Sequence, residues 1–534
     1  MKRTPVTAAV LALVAAVSVR ADNAAVCEQP HDVDQYQLLR RLSLDIRGRI
    51  PSIEEYEALD KGAAPFDHVA DWVKTDEFRL AMRKYHENML WPNVSAARLT
   101  SISSQLSIKS GEPALHLTST GREKTWRGAN DTICGDFQET RFLPEADPGN
   151  PVYKVDVSQL QPDASGVRQD GWRLVAPYWD PANPVKVCAF DAQATPTVTK
   201  ANKTLQCGNP SAHGDPSCGC GADLHWCYGP ANVTSQAILS DMREQLDRAV
   251  DAVTTGGAPY TDLLLNTTAW ENGRLAFFKR WLSTNVNISG TVDFPDLTET
   301  IPDKPFTDTT WTQIDRGPDH AGVTTLPAYL LRFQTNRGRA NRFRINFLCE
   351  QFVPPDTLSD TQGCVNQGTD LQQRCNCRYC HATVEPMAAH WATFSEAGTT
   401  LQKGNPLFPT KNPSCVSANP SAFCSRFYVT QSDAHNAGSM LAYQYADLYP
   451  TVQSHIDGGP RLLARTTIDA GDFASCAVKR LFLQFIGREM HVAGSTSEEL
   501  GLMTQLAAGF KTAQYSFPWL VQQVVSLPQY KRAR

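Results

Sequence analysis

Residues 375–381 read Cys-Asn-Cys-Arg-Tyr-Cys-His. Inside this run, Cys377-Arg378-Tyr379-Cys380-His381 has the Cys-x-x-Cys-His spacing of covalent c-type haem attachment. Two thiols three residues apart on one turn can reach the two vinyl groups on a haem edge. The adjoining imidazole of His381 then projects over the macrocycle as the proximal iron ligand. The expected cofactor is therefore one covalent haem c, held by Cys377, Cys380 and His381. A redox Cys-x-x-Cys pair is an alternative, but it normally sits near a β-α-β pattern, which this sequence lacks. A zinc site built from Cys375, Cys377, Cys380 and His381 is a second alternative, with ligands clustered more tightly than usual zinc loops. Cys375 lies one residue from Cys377, a spacing unsuited to a second vinyl group, so a disulfide is expected for it, with Cys364 as one partner.

A sixth iron ligand has to come from the opposite face. Met387 and His390 lie six and nine residues beyond His381. A helix of that length rises ~9–14 Å along the proximal side, so they serve only if Pro386 turns the chain back. Met440 lies 59 residues on, far enough to wrap around a haem. A thioether there raises the reduction potential. His435 and His455 compete with it, core packing is the other reading of Met440, and a five-coordinate iron is also open.

The beginning of the chain reads as a targeting segment. Lys2 and Arg3 precede a small, apolar run from Val6 to Val19, and Val19-Arg20-Ala21 suits a signal peptidase. The run is short for a membrane span. Residues 1–21 are expected to be removed, leaving 47 basic and 55 acidic residues, a net charge of −8. That charge gives no bulk attraction to nucleic acid or anionic lipid. No later stretch is long and apolar enough for a transmembrane helix, so the mature chain is expected to be periplasmic or extracellular. All 15 cysteines follow Ala21, which suits an oxidising compartment. With two assigned to haem, thirteen remain, and their connectivity is not legible from order alone.

Texture divides the rest. Residues 22–100 read as a helical N-terminal domain: Ser52 and Glu55 form a capping box, and Val69, Trp72, Val73, Phe78, Leu80 and Met82 recur at near-helical spacing. Residues 101–234 are rich in Pro, Gly, Asp, Asn and Thr. They hold Cys134, Cys188, Cys207, Cys218, Cys220 and Cys227, and read as a disulfide-rich insert of short strands and loops. His225 and Trp226, between Cys220 and Cys227, raise a metal site there, although disulfides already account for the cysteines. Residues 235–345 read as a central helical domain. Ile238, Leu239, Met242, Leu246, Val250 and Val253 mark an amphipathic helix, and residues 260–283 look like further buried helix. Residues 346–534 hold the haem domain and C-terminal helices, one ending at Gly487 and one spanning 499–528. The expected fold class is mainly α: a multi-domain helical protein with a cytochrome-c-like haem domain and a disulfide-rich irregular or β insert.

These segments together resemble a known group. Arg40-Arg41-Leu42-Ser43-Leu44-Asp45-Ile46-Arg47-Gly48-Arg49-Ile50-Pro51-Ser52 is similar to the N-terminal motif of the exported cytochrome-c-like proteins of unknown function named for planctomycetes and also common in myxobacteria. Pro259 to Leu264, Gly322 to Leu331, Asn346 to Cys349 with Val353-Pro354-Pro355, Cys377 to Gly398, and Phe473 to Phe482 with Ile486-Gly487-Arg488 resemble later segments of that group, in the same order. After the haem motif the group usually has Asp-Pro-Leu-Gly, where this chain has Glu385-Pro386-Met387-Ala388. The resemblance implies a c-haem and a multi-domain helical build, and supplies no substrate.

Three functions are consistent with these residues. One is electron transfer with a redox partner protein. Another is a haem-dependent oxidoreductase acting on peroxide or another small-molecule substrate. The last is a glycan- or protein-binding module, with residues 101–234 as the recognition surface and the haem as a redox group. No Ser-His-Asp arrangement, phosphate-binding Gly loop or zinc-protease helix motif stands out.

Overall fold

The computed structural model describes residues 32–532 apart from 118–132, 145–153, 207–218, 293–299, 352–370, 404–451 and short runs between them. Helices dominate, and the strands form only two-stranded antiparallel ribbons among the described residues. The mainly α class is therefore correct. No helix among these residues is long and apolar enough to cross a membrane.

Helix α1 (Gln35–Arg47) begins where the Asp34 side chain accepts the Gln37 N–H, and ends at Gly48 with φ 70°. That left-handed stop is one that glycine takes without a Cβ clash. Ser52 and Glu55 make the expected capping box at α2 (Ile53–Asp60). Glu55 does more than cap. Both its oxygens accept from Arg47, at 2.9 and 2.8 Å, and Oε1 also accepts from the Trp72 indole. The Arg47 guanidinium lies 3.7 Å from the Trp72 ring centroid. Arg41 reaches the other end of the chain, donating to the carbonyls of Tyr530 and Phe485, while the Tyr530 hydroxyl donates to Asp45. The arginine-rich run 40–52 thus fastens the N-terminal helices to the C-terminal ones.

On α3 (Asp76–Leu90), Phe78, Met82, His86, Met89 and Leu90 face inward. Leu80 is off this stripe and is 55% exposed, contrary to its expected place on the apolar face. Next comes α4 (Thr234–Thr254), the predicted amphipathic helix, with Ile238, Leu239, Met242, Leu246, Val250 and Val253 buried. Residues 260–283 are not one helix. A short turn of helix at Asp262–Leu265 is followed by a strand, Thr268–Glu271, and then by α5 (Gly273–Thr284). The strand pairs antiparallel with Thr312–Asp315. Thr268-Ala269-Trp270-Glu271 alternates in burial, and the fully buried Glu271 carboxylate accepts from Lys279 at 2.7 Å. Asn272 accepts the Leu275 N–H to start α5. Pairing with a distant strand overrode the apolar run that read as helix.

One apolar core collects side chains from 38–99, 228–347, 388–401 and 452–530, together with Tyr178, and includes Leu39, Leu246, Phe343, Phe473 and Val524. The insert has small clusters of its own, one around Leu106, Leu117, Val175, Val187 and the Cys220–Cys227 disulfide. One of its ribbons, Trp172–Val175 with Val185–Cys188, is tied to the loop at Cys134 by the Cys134–Cys188 bridge.

Toward the end of the chain, α6 (Asn336–Phe343) runs on as a wider π turn, Arg344–Leu348, which stops at Cys349. Cys349 is bonded to Cys476, within α9 (Asp472–Ile486). One turn on from Cys476, the Arg480 guanidinium donates to the Asn346 carbonyl at 2.9 Å. Between these lie α7 (Arg378–Ala388) and α8 (Gln453–Ala470). Gly487 closes α9 in the left-handed region, as expected. Residues 499–528 form two main helices, α10 (Glu498–Thr512) and α11 (Phe517–Val525). Gln514 and Tyr515 between them have positive φ, and the Tyr515 carbonyl accepts the Tyr260 N–H. Ser516 and Pro518 were a restart signal hidden by the continuous apolar pattern.

His86 is wholly buried. Its Nδ1 meets the Met82 carbonyl at 2.7 Å, and its Nε2 meets the Tyr260 hydroxyl at 2.9 Å. Burial pushes its pKa down to about 4. An unfolded histidine takes up its proton near pH 6.5, so stability is lost as pH falls from there toward 4, by about 3 kcal/mol for this residue. Denaturant titrations between pH 7 and 4.5 should show a shallower loss in H86Q than in the unaltered chain; parallel profiles would contradict this account. Separately, the Cys349–Cys476 bridge closes a 127-residue separation. Replacing both with Ala should cost ~2–5 kcal/mol of unfolding free energy, measured under non-reducing conditions.

Candidate cofactor-attachment site

Cys377 stands at the start of α7. The Cys380 and His381 amides both donate to its carbonyl, at 3.2 and 3.1 Å, so the two thiols sit on a single turn. Both thiols are free and half-buried. Other described cysteines behave differently: Cys134, Cys188, Cys220, Cys227, Cys349 and Cys476 pair in three bridges, and Cys375 is disulfide-bonded as well. The expected partner of Cys375, Cys364, lies outside the described residues. Asn376 intervenes with φ 67°, a left-handed conformation that Asn tolerates better than most residues. It reverses the chain between the bridged cysteine and the free pair.

The His381 side chain is 26% exposed. Its Nδ1 lies 2.7 Å from Glu385 Oε1, one helical turn on. The same oxygen accepts from Arg337 Nε at 2.5 Å, across from α6. Glu385 is 1% exposed. Burial alone would raise its pKa, but the hydrogen bond from His381 and the charge of Arg337 outweigh that and hold it below its usual value. An ionised carboxylate only accepts, so Nδ1 carries the proton, and in the neutral ring Nε2 is the nitrogen that offers a lone pair. Nε2 has no hydrogen-bond partner among the described residues. Two thiols and one imidazole nitrogen are therefore available here to hold a cofactor.

Pro386 does not reverse the chain. The helix runs through it to Ala388 and tightens into a 3-10 turn, Ala389–Trp391. Met387 packs against the main core, and His390 is buried with Nδ1 on the Gly459 carbonyl at 2.8 Å. Burial and the neighbouring His455 push the His390 pKa down to about 4. His455 stacks on His390 with ring centroids 4.5 Å apart, and its Nδ1 meets the Pro386 carbonyl. Both rings thus gather at the far end of α7. Met440 and His435 lie outside the described residues. In the insert, His225 bonds to Asp223, and Cys220 and Cys227 are bridged to each other, so neither thiol is available to a metal. No group of three or more His, Cys, Asp and Glu side chains that could hold a metal ion occurs among the described residues.

Sequence reasoning missed Glu385 and Arg337 as partners of His381. Glu385 carried a signal, since it stands four residues beyond His381 where helical side chains meet. Arg337 carried none, being 48 residues earlier.

Alkylation of the non-reduced, cofactor-free chain should label Cys377 and Cys380. It should spare Cys134, Cys188, Cys220, Cys227, Cys349, Cys375 and Cys476. Peptide mapping by mass spectrometry reads the pattern, and protection of Cys377 and Cys380 would mean that they are bridged.

Comparison with protein-family models, with curated proteins and with solved structures finds no match to this chain.

Proposed function

We propose that this chain is an exported c-type cytochrome. One haem is held by thioether bonds from Cys377 and Cys380, with His381 on the iron, and the chain works in electron transfer with a redox partner. The observation that carries this reading is the state of the thiols. In a chain whose other described cysteines are oxidised, these two remain free on one helical turn, beside an imidazole with an unengaged Nε2. Thioether formation consumes two thiols and an axial bond needs that lone pair, so the donor set suits the group. Bound there, haem supplies one-electron chemistry. The chain's residues orient the ring through Glu385 and exclude water from the buried end of α7. The disulfides support an oxidising compartment, periplasmic or extracellular. The resemblance to the planctomycete-type cytochrome-c-like proteins rests on the motifs alone and agrees with this reading.

A second reading is a haem-dependent oxidoreductase. The hydrogen bond from the proximal imidazole to a buried carboxylate favours it, because such a partner makes the ligand more basic. An open distal side would then be needed for a small-molecule substrate.

Produced in a host that matures c-type cytochromes, the unaltered protein should give a pyridine haemochrome spectrum and keep its haem through denaturing electrophoresis. The C377A/C380A double variant should lose covalent haem altogether. A colourless unaltered protein overturns the proposal. A high-spin ferric spectrum shifts the choice to the oxidoreductase.

A further inference from the structure

We propose that Glu385 is a positioning residue that fixes Nδ1 of His381, enriches its imidazole in electrons and lowers the reduction potential of the haem, with Arg337 limiting the effect. This rests on the reading of Cys377, Cys380 and His381 as the haem-attachment set.

The geometry carries the argument. A neutral carbonyl can orient a proximal imidazole but draws little on its proton. Here the acceptor is a carboxylate oxygen at 2.7 Å from Nδ1. The Glu385 residue is 1% exposed, so water screens the bond little from the carboxylate side. A proton shared toward the carboxylate leaves more electron density on the ring. That density passes to the iron through Nε2 and stabilises the ferric state over the ferrous.

Arg337 works against this. Its Nε donates to the same Oε1 at 2.5 Å from the neighbouring helix. A guanidinium on that oxygen neutralises part of its charge and weakens its claim on the imidazole proton. The two partners therefore set opposite limits on one ligand, and they sit on two helices, α6 and α7. Glu396 provides an internal comparison. It is a second buried carboxyl group nearby, held by the Asn336 N–H, and burial raises its pKa against the opposing pull of Arg339 and Arg337. It does not bond to His381.

The test is the midpoint potential of the haem-loaded protein and three variants, each checked first for haem content by pyridine haemochrome. E385Q should shift the potential upward, because an amide cannot draw the proton as the carboxylate does. R337Q should shift it downward, because the carboxylate then pulls harder on the imidazole proton. E396Q, which alters a buried carboxyl group without touching His381, should move it much less than E385Q. A general loosening of the fold would move E385Q and R337Q in the same direction. Such a common direction, an unmoved E385Q, or equal shifts in E385Q and E396Q would overturn the proposal while leaving the attachment reading standing. An unaltered chain that carries no haem would instead end the attachment reading, and this proposal with it.

Discussion

A carboxylate held at 1% exposure cannot stay charged without partners, and among those of Glu385 are two donors on a single oxygen. Arg337 comes from α6 and His381 from its own helix. The pair therefore does two things at once. It docks α7 onto α6, and it orients the imidazole that follows the two thiols. Buried charge of this kind is weak as a source of net stability, because desolvation offsets most of the attraction. Its effect is on geometry: of the arrangements open to α7, it favours the one in which His381 turns Nδ1 inward and leaves Nε2 free.

The surrounding framework keeps that arrangement in place. Just beyond Arg337, α6 continues into the π turn that ends at the Cys349–Cys476 bridge, so it is covalently tied to α9. Arg480 reinforces the tie one turn later. Helix α9 in turn meets the N-terminal helices, where Arg41 takes the Phe485 carbonyl. A chain of specific contacts thus leads from the two ends of the polypeptide to the carboxylate beside His381. The long α4 and the aromatic group of Tyr260, Phe473 and Phe517 fill the space between, with Tyr260 and Phe517 stacked at 4.8 Å between ring centroids. Dense packing of this sort transmits small displacements, so the site is built on rigid elements rather than on loops.

The insert joins the main core through Tyr178 and Tyr228 but otherwise relies on smaller clusters. Its ribbons are too short to bury much apolar surface, and its described clusters contain only a handful of side chains each. Disulfides supply what the core does not, as is usual for loop-rich segments that bury little apolar surface. The same oxidised state makes the two free thiols on α7 informative.

Much of this was legible in the residues themselves. Local patterns determined the mainly helical class, the capping box at Ser52 and Glu55, the amphipathic α4, the glycine stop at Gly487 and the turn that carries Cys377, Cys380 and His381, because each depends on neighbours within about four residues. Signals that required a distant partner were not legible. The strand at Thr268–Glu271 exists because Thr312–Asp315 lies beside it. The break near Tyr515 is fixed by Tyr260, and the Cys349–Cys476 pairing joins residues 127 apart. Tertiary structure alone brought Arg337 to Glu385 and so decided how His381 is held. Sequence order specifies which groups are present on a turn, but the electrostatic surroundings of a buried group depend on what the fold packs against it.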